Sequence, residues 1–368
     1  MKPIGLYIHI PFCKGKCPYC DFYSVTPHGS VIEDYTAEVC RRLSAETRIF
    51  DTVYFGGGTP SLLGAENICR ILGSVNAAYG CEMTLECNPS DTGGRDSNFD
   101  FEAVADAGIN RISMGLQSSS DSERRFLGRR AGADDAERAV ERANAAGIDN
   151  ISLDLMLGLA GQSTESAGRS IEFCRRLGAK HLSAYLLKLE QGTPLYTRRN
   201  ELHLPDEDEN AELYLFTVSE AAKNGFLQYE ISNFSLPGYE SRHNLKYWRC
   251  EEYLGVGAAA HSFVGGKRFY NERSIADFLE GKPPVNDGDG GDEEEFVMLA
   301  LRLTEGLSGE RFAERYGHML PREFDKKAAF FASKGLMTVG GERYSLTPQG
   351  FLLSNSIIFE LIDTLEAE

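Results

Sequence analysis

The stretch of sequence that decides the fold is LYIHIPFCKGKCPYCDFYS, residues 6–24. It opens with an apolar, β-branched run at residues 6–10, which favours a buried strand. The run leads directly into three closely spaced cysteines, Cys13, Cys17 and Cys20. In α/β folds, ligands bind at the carboxyl ends of parallel strands. We therefore expect the cysteines to lie in a site at the end of the first strand.

Five further apolar runs follow, and stretches with a helical period lie between them. The runs occupy residues 52–55, 83–87, 111–114, 151–157 and 181–187, and the helical stretches include 31–49, 66–78, 134–146 and 165–177. Asp134 is expected to cap the third of these helices and Gly147 to end it. Six strand-then-helix units predict an α/β fold with a parallel sheet and right-handed crossovers, either open or a partial (β/α)6 TIM-like barrel.

The strand and helix alternation stops after Glu190, and two further domains are expected. Residues 1–190 form the barrel, residues 191–288 an α+β extension, and residues 289–368 a small winged-helix-like C-terminal domain. The acidic, Gly-rich and Pro-rich segment GKPPVNDGDGGDEEE, residues 281–295, predicts the second boundary. Helical patterns follow at 296–307 and 311–317, and residues 330–362 resemble a helix, a two-stranded wing and a final helix.

The composition excludes several classes of protein. The chain has 368 residues with 38 Lys and Arg against 55 Asp and Glu, a formal net charge of -17, which opposes binding to nucleic acid backbones. No apolar stretch approaches the roughly 20 residues that cross a bilayer, and the first residues lack a signal-peptide pattern, so a cytoplasmic protein is expected. Nine cysteines form an odd set in a long chain, which is not typical of a secreted disulfide framework.

The spacing C-x3-C-x2-C of Cys13, Cys17 and Cys20 favours an iron–sulfur cluster. Thiolates hold such clusters, and three ligands leave one iron of a four-iron cluster open for chemistry. The alternative is a zinc loop, which would need a distant fourth ligand such as Cys81, Cys87 or His9, and none of these has the spacing typical of a zinc site.

With Tyr19 before the last cysteine, the motif resembles that of the radical S-adenosylmethionine (SAM) superfamily. The resemblance implies that the three cysteines bind a [4Fe-4S] cluster and that the amino and carboxylate groups of SAM chelate the fourth iron. It also implies that an electron from the cluster splits SAM into methionine and a 5′-deoxyadenosyl radical.

Residues near the ends of the predicted strands then become candidates for binding SAM. The GGGT run at 56–59 is expected to give backbone access to the methionine amino group of SAM. Glu86 and Asp154 are expected to accept hydrogen bonds from ribose or ammonium. Gln117 and Arg129 are expected to bind ribose and the SAM carboxylate, respectively. Alternatively, the two carboxylates cap helices or are solvated, and Arg129 is simply solvated. The full candidate set is Tyr7, Tyr19, Gly57, Gly58, Thr59, Glu86, Gln117, Arg129, Asp154, Lys188 and His261.

Six segments in order resemble the coproporphyrinogen-dehydrogenase-like branch of the superfamily, and most closely its heme chaperones. They are YIHIPFCKGKCPYCDFYS (7–24), YFGGGTPSLL (54–63), LECNPSD (85–91), NRISMGLQS (110–118), YEISNFSLPGYESRHNLKYW (229–248) and YLGVGAAAHS (253–262). The segment GLAGQS at 158–163 departs from the family pattern, with Ala160 for the usual Pro and Ser163 for the usual Thr.

Two positions separate the members of this branch. The dehydrogenases have a fourth cysteine two residues after the third, where this chain has Phe22. The chaperones carry an HNxxYW motif, which is present here as His243, Asn244, Tyr247 and Trp248.

The motif suggests a heme site. His243 is a candidate axial heme ligand, with Arg242, Lys246 and Arg249 beside it for the heme propionates. Alternatively, His243 and Trp248 only pack and hydrogen bond in a lid, and His261 is a second candidate ligand.

The resemblance implies a radical-SAM-type heme chaperone that binds a [4Fe-4S] cluster, SAM and heme and transfers heme to an acceptor hemoprotein, such as a respiratory one. The expected partners also include a reductant such as flavodoxin or ferredoxin and a second copy of the chain in a homodimer, and no nucleic acid. The first alternative is an oxygen-independent coproporphyrinogen III oxidase, and the second is a radical SAM RNA-modifying enzyme. No catalytic residue is assigned.

Overall fold

A computed structural model describes residues 2–365 and confirms an α/β fold built on a parallel sheet. Six central strands follow one another in chain order across this sheet, and each is parallel to the next. They are β1 (Ile4–Ile10), β2 (Phe50–Gly57), β3 (Ala77–Cys87), β4 (Arg111–Gln117), β5 (Asn150–Leu157) and β6 (His181–Leu186).

Side chains along these strands alternate between an apolar face and a polar face. Leu6, Val53, Leu85, Ile112 and Leu153 belong to the apolar face and are fully buried in the main hydrophobic core. Most of the intervening positions carry polar or small residues, among them Tyr7, Tyr54, Glu86, Arg111 and Asp154. Because successive side chains of a strand point to opposite faces, the second set lines the inside of the partial barrel, which we call the lumen.

Eight helices lie along the barrel sequence. They are α1 (Val31–Ser44), α2 (Gly64–Leu72), α3 (Pro89–Thr92), α4 (Phe101–Asp106), α5 (Asp121–Phe126), α6 (Ala133–Ala145), α7 (Thr164–Arg176) and α8 (Pro194–Thr197), with short 3-10 helices at Pro60–Leu63 and Arg199–Glu201. α1 ends before residue 49, because residue 50 already starts β2. α2 ends before residue 78, because β3 begins at residue 77.

The predicted cap of α6 is wrong by two residues. Gly132 holds the cap position, and its backbone N–H donates a 2.8 Å hydrogen bond to the carboxylate of Asp135 in the first turn. Asp134 therefore lies inside the helix. Gly147 follows the helix with φ +85°, as expected for a residue that ends it.

The second segment extends the sheet at both of its edges. It contains α9 (Glu207–Lys223), β7 (Leu227–Gln228), β8 (Asn233–Ser235), α10 (Arg242–Trp248), β9 (Tyr253–Val256), β10 (His261–Val264), β11 (Lys267–Tyr270), α11 (Ile275–Leu279) and β12 (Val285–Asp289). The complete order is β12-β11-β10-β9-β1-β2-β3-β4-β5-β6-β8-β7. The sheet is therefore an open, partial barrel.

The last segment has its own hydrophobic core, which also takes in Tyr214, Cys250 and Phe263. Its three strands, β13 (Leu307–Ser308), β14 (Met337–Gly340) and β15 (Arg343–Leu346), form a separate sheet in the order β13-β15-β14. Its helices are α12 (Glu293–Ala300), α13 (Gly309–Tyr316), α14 (Arg322–Ser333), α15 (Pro348–Leu352) and α16 (Ser354–Ile362). Within residues 2–365, no helix combines the length and apolarity needed to cross a bilayer.

Candidate functional site

The cysteine loop follows β1 and is closed by two backbone hydrogen bonds. The N–H of Cys13 donates to Val25 O at 3.0 Å, and the N–H of Val25 donates to Pro11 O at 2.8 Å. Within the loop, the N–H of Cys20 donates to Cys17 O at 3.1 Å. The three cysteines are free and half-buried. They are held on one short loop at the carboxyl end of β1.

The donor set of this loop fits an iron–sulfur cluster. Burial raises the pKa of the Cys20 thiol, and the neighbouring Cys17 and Cys13 raise it further, so the three sulfurs act on one another. No three His, Cys, Asp or Glu side chains within residues 2–365 converge as ligands of a single ion. In a four-iron cluster each of three thiolates binds a different iron, so three cysteines on one short loop suit such a cluster.

The glycine run at the end of β2 packs directly against this loop. The N–H of Gly58 donates to Ile10 O at 2.9 Å, and the N–H of Thr59 donates to Phe12 O at 2.7 Å. Gly57 has φ +107°, and a Cβ atom there would lie 2.5 Å from the His9 ring. Only glycine therefore allows this approach, which brings Thr59 Oγ1 to 3.4 Å from Cys13 Sγ.

Two half-buried carboxylates lie in the lumen toward the carboxyl ends of the strands, which we call the mouth; Glu86 is on β3 and Asp154 on β5, with β4 between them. Glu86 accepts a 2.8 Å hydrogen bond from the Tyr54 hydroxyl, and Asp154 accepts one of 3.3 Å from Ser113. Burial raises the pKa of Glu86 to about 7 and that of Asp154 to about 6. Near neutral pH, Asp154 is therefore mostly ionised and Glu86 only partly so, and in the ionised form each accepts hydrogen bonds from cations.

Arg129 and Gln117 converge at the end of β4. Arg129 donates a hydrogen bond to Gly115 O, and its Nη1 lies 3.8 Å from Cys17 Sγ. Gln117 has φ +68°, and a Cβ at Gly115 would meet both its amide and the Arg129 guanidinium. Arg129 is thus part of the cysteine site and is not simply solvated. Tyr19 is close by, and burial raises the pKa of its hydroxyl.

Tyr7 and His9 line the lumen from β1. The Tyr7 hydroxyl lies 3.0 Å from His9 Nδ1, and His9 Nε2 lies 3.1 Å from Tyr23 O in the cysteine loop. Burial lowers the pKa of His9 to about 4, so the ring is neutral at pH 7. The sequence alone assigns His9 no role except that of a zinc ligand. Its position two residues after Tyr7 on the polar face of β1 is the signal that would have found it.

Two predicted SAM contacts, Lys188 and His261, are exposed, and they lie near enough to the site for Asp21 to act on the charge of Lys188 and for His261 to act on His9. Lys188 is exposed and pairs with Glu190 at 2.7 Å. His261 is also exposed, at the start of β10, where its ring stacks on Tyr270 with centroids 5.2 Å apart.

The HNxxYW motif forms α10, which lies at the opposite end of the sheet from the cysteine loop. His243 is 1% exposed, and its Nδ1 lies 2.8 Å from Thr52 Oγ1 near the amino end of β2. Its Nε2 lies 2.8 Å from the Tyr247 hydroxyl, and its backbone N–H donates to Glu82 Oε1 at 3.0 Å. Both ring nitrogens are occupied, so the geometry does not favour heme ligation by His243 and agrees with the packing alternative.

The basic residues around the motif are also engaged. Lys246 pairs with Asp51 at 3.0 Å, Arg242 donates to Gly80 O at 2.7 Å, and Arg249 pairs with Glu305 at 3.0 Å. Asn244 is half-buried, and its N–H donates to the cap residue Ser241 at 3.3 Å. Trp248 lines a cleft of about 370 Å³ between α10 and the C-terminal segment. None of these side chains faces the cysteine loop.

Family models match two parts of the chain, and known proteins match nearly all of it. Residues 7–174 match the Radical SAM superfamily and residues 293–353 the HemN C-terminal domain. A heme chaperone HemW of Bacillus subtilis is 35% identical over 371 residues, which cover 95% of this chain and 97% of that protein. The HemW of Escherichia coli is 35% identical over 379 residues, with 97% and 98% covered.

A solved structure supports the same fold. The coproporphyrinogen III oxidase HemN of Escherichia coli, a radical SAM enzyme, superposes with a TM-score of 0.81 at 19% identity, and the match covers 98% of this chain and 90% of that one.

Proposed function

Because this chain belongs to the radical SAM superfamily and, within it, to the HemW family of heme chaperones, we propose that it binds heme and transfers it to an acceptor hemoprotein. The family also implies a [4Fe-4S] cluster and SAM as cofactors. The observation that carries the proposal is the mouth of the partial barrel, where three half-buried thiols on one loop meet the glycine run of β2 and the carboxylates Glu86 and Asp154.

Cys13, Cys17 and Cys20 would hold the cluster, and the residues around them would hold SAM. Backbone groups of residues 57–59 face the loop, Glu86 and Asp154 offer acceptors, and Arg129 offers a guanidinium beside Cys17. Gln117 lies beside Arg129 at the end of β4. When bound, the cluster supplies single electrons to SAM. The protein's own residues orient SAM and place polar groups around its charged ends.

For the heme iron, we propose His261 as the ligand instead of His243. Its imidazole is exposed on one side, and partial burial on the other lowers its pKa. At pH 7 the ring is therefore neutral and offers a nitrogen lone pair. The loop before it reaches the mouth, since a Cβ atom at Gly257 would lie 2.5 Å from His9 O at the carboxyl end of β1. A heme at His261 would therefore lie at the rim that also carries the cysteine loop.

Phe22 distinguishes this proposal from oxidative decarboxylation of coproporphyrinogen. Its ring is 70% exposed two residues after Cys20, where the dehydrogenase motif has a fourth cysteine. A large exposed apolar ring suits contact with a flat tetrapyrrole face. We further propose a cytoplasmic protein that takes electrons from a flavodoxin or ferredoxin and associates as a homodimer.

One anaerobic experiment tests the function. The cluster is reconstituted on the full chain, which is then incubated with SAM and either heme or coproporphyrinogen III. Heme should be retained and should pass to an added apo-hemoprotein, and no protoporphyrinogen should form. Formation of protoporphyrinogen would contradict the chaperone proposal.

Two matched variants test the heme ligand. We expect His261→Ala to lose the heme spectrum of the complex, while His243→Gln retains it in the fraction that folds. The opposite pattern would return the ligand assignment to the HNxxYW motif.

A further inference from the structure

Arg111 is a buried arginine without an ion-pair partner. It begins β4, its side chain lies on the lumen face, and the residue is 2% exposed. Its Nε has no hydrogen-bond partner, and among residues 2–365 its guanidinium makes no ion pair. A buried cation left unpaired is destabilising. Stabilisation of the fold therefore does not explain why an arginine occupies position 111.

The lumen around Arg111 is layered along the strand direction. Arg111 pairs in register with Thr84 on β3, and Thr84 pairs with Tyr54 on β2; the Thr84 hydroxyl also lacks a partner. One step toward the mouth, Glu86 pairs with Ser113. One step away from it, Thr52 pairs with Glu82, and both bind α10. Arg111 thus lies between the carboxylates of the mouth and the helix that covers the other end.

The charge of Arg111 acts on both carboxylates. Burial raises the pKa of Glu86 and of Asp154, and Arg111 opposes this rise at each of them. Arg129 acts in the same direction on Asp154. Toward the other end of the lumen, Arg111 adds to the burial that keeps His181 and His243 uncharged.

The two carboxylates also act on each other, since Asp154 adds to the burial that raises the pKa of Glu86, and Ser183 and Ser113 bond to Asp154. The other titratable groups facing them are phenols and thiols. The phenols come from β1, β2, β6 and α10, and burial raises the pKa of each, so they remain uncharged between pH 6 and 9; they are Tyr7, Tyr54, Tyr185 and Tyr247. The thiols of Cys87 and Cys174 also sense the carboxylates, and burial raises their pKa too. The arginines therefore supply the positive charge in this environment.

We propose that Arg111 is a positioning residue whose buried charge favours the ionised forms of Glu86 and Asp154, so that they can hold the ammonium and sulfonium groups of SAM. The inference rests on the proposed function, because it assigns the mouth to SAM. It separates two tasks: the carboxylates contact the cofactor, and Arg111 acts through them without contacting it. The unpaired guanidinium follows from this arrangement, since a direct ion pair would occupy the oxygens that the cofactor needs.

The test compares the pH dependence of SAM binding in cluster-reconstituted full-length protein. Arg111→Gln removes the charge but keeps a polar side chain, and Arg111→Lys keeps the charge. Arg42→Gln is the matched control, because Arg42 lies outside the lumen and pairs with Glu38. SAM dissociation constants are measured by equilibrium dialysis at pH 6.5 and pH 8.5. The titration of SAM itself is common to all variants and cancels in the ratio to wild type.

We expect Arg111→Gln to weaken SAM binding about tenfold at pH 6.5, because each pKa unit by which a carboxylate rises reduces its ionised fraction up to tenfold. At pH 8.5 the ratio to wild type should fall below about threefold, while Arg111→Lys and Arg42→Gln stay within about threefold at both pH values.

An equal loss at both pH values, or no loss at either, would overturn the inference and leave the proposed function standing. If wild-type protein with a full cluster binds no SAM at any pH, the proposed function falls and this inference falls with it. If Arg111→Gln does not fold, Arg111→Lys still decides, since any loss of SAM binding in Arg111→Lys that is independent of pH overturns the role of the charge.

Discussion

The imidazole of His243 stacks on the ring of Tyr54 with centroids 5.2 Å apart, and the hydroxyl of Tyr54 donates a hydrogen bond to Glu86. One aromatic side chain thus connects the HNxxYW helix to a carboxylate of the cofactor mouth. The stacking explains why the motif needs a flat ring at its first position. The hydrogen bond between His243 and the hydroxyl of Tyr247 explains why the motif has a tyrosine one helical turn later.

His243→Gln should destabilise the protein by about 2–4 kcal/mol, because the variant leaves buried partners unsatisfied and loses the stacking contact. Urea unfolding monitored by circular dichroism measures this difference. His203→Gln, at an exposed position, should stay within about 0.5 kcal/mol of wild type. A His243→Gln variant as stable as wild type would show that the buried hydrogen bonds contribute little.

The destabilisation by His243→Gln should shrink in acid. Burial lowers the pKa of His243 to about 3 from an ordinary 6.5, so below pH 6.5 the unfolded wild type binds a proton that the folded protein does not. Wild type therefore loses up to about 1.4 kcal/mol per pH unit relative to the variant. Urea unfolding of both proteins at pH 7.5, 6.0 and 5.0 checks this. A difference that is constant with pH would mean that His243 titrates normally.

Gly57→Ala should abolish SAM binding. It should also lower the free energy of unfolding by more than the cost of placing an alanine at a positive φ. Its Cβ would meet the His9 ring at 2.5 Å, so β2 could not approach the cysteine loop. Gly147→Ala is the matched control, since Gly147 has φ +85° with nothing within 4 Å of its Cβ, and it should lose only about 1–2 kcal/mol. Thermal unfolding and SAM dialysis compare the two. Equal losses of stability and retained SAM binding would contradict the close approach.

Tyr54→Phe should weaken SAM binding at pH 7, because the Tyr54 hydrogen bond lowers the pKa of Glu86 against burial. A loss of about three- to tenfold is expected, equivalent to roughly one pKa unit or less, and it should diminish at pH 8.5. Tyr344→Phe removes a hydroxyl that donates to Asp325 far from the mouth and should leave SAM binding unchanged. Equal effects of the two substitutions would argue against a specific role for Tyr54.

The six barrel strands and the place of the cysteine loop could be predicted from the sequence, because short β-branched runs separated by helical stretches admit few folds. The apolar runs predict the strands, but the polar residues between them also carry information. The sequences TVYFG (52–56), RISMG (111–115) and ISLD (151–154) alternate strictly between polar and apolar residues, and this alternation marks the polar lumen that holds Glu86, Arg111 and Asp154.

The place of α10 could not be predicted, because no local signal tells which end of a sheet is covered by a helix that follows two short strands. Long-range contacts with Thr52 and Glu82 decide it. β12 was also missed, since VNDGD has poor strand propensity, and only its pairing with β11 makes it a strand. The exposed positions of Lys188 and His261 likewise depend on segments distant in sequence.

The elements that cover the amino end of the lumen affect where SAM and heme can reach the barrel. α10 seals the starts of β2 and β3, and the segment from Tyr229 to Ser241 lies over the start of β6, where Tyr229 meets His181. The proposed heme at His261 and the proposed SAM site both lie at the opposite, carboxyl end of the strands. A reductant docked over the cysteine loop and an acceptor hemoprotein would then compete for this end of the barrel. Reduction of the cluster and transfer of heme would therefore occur one after the other.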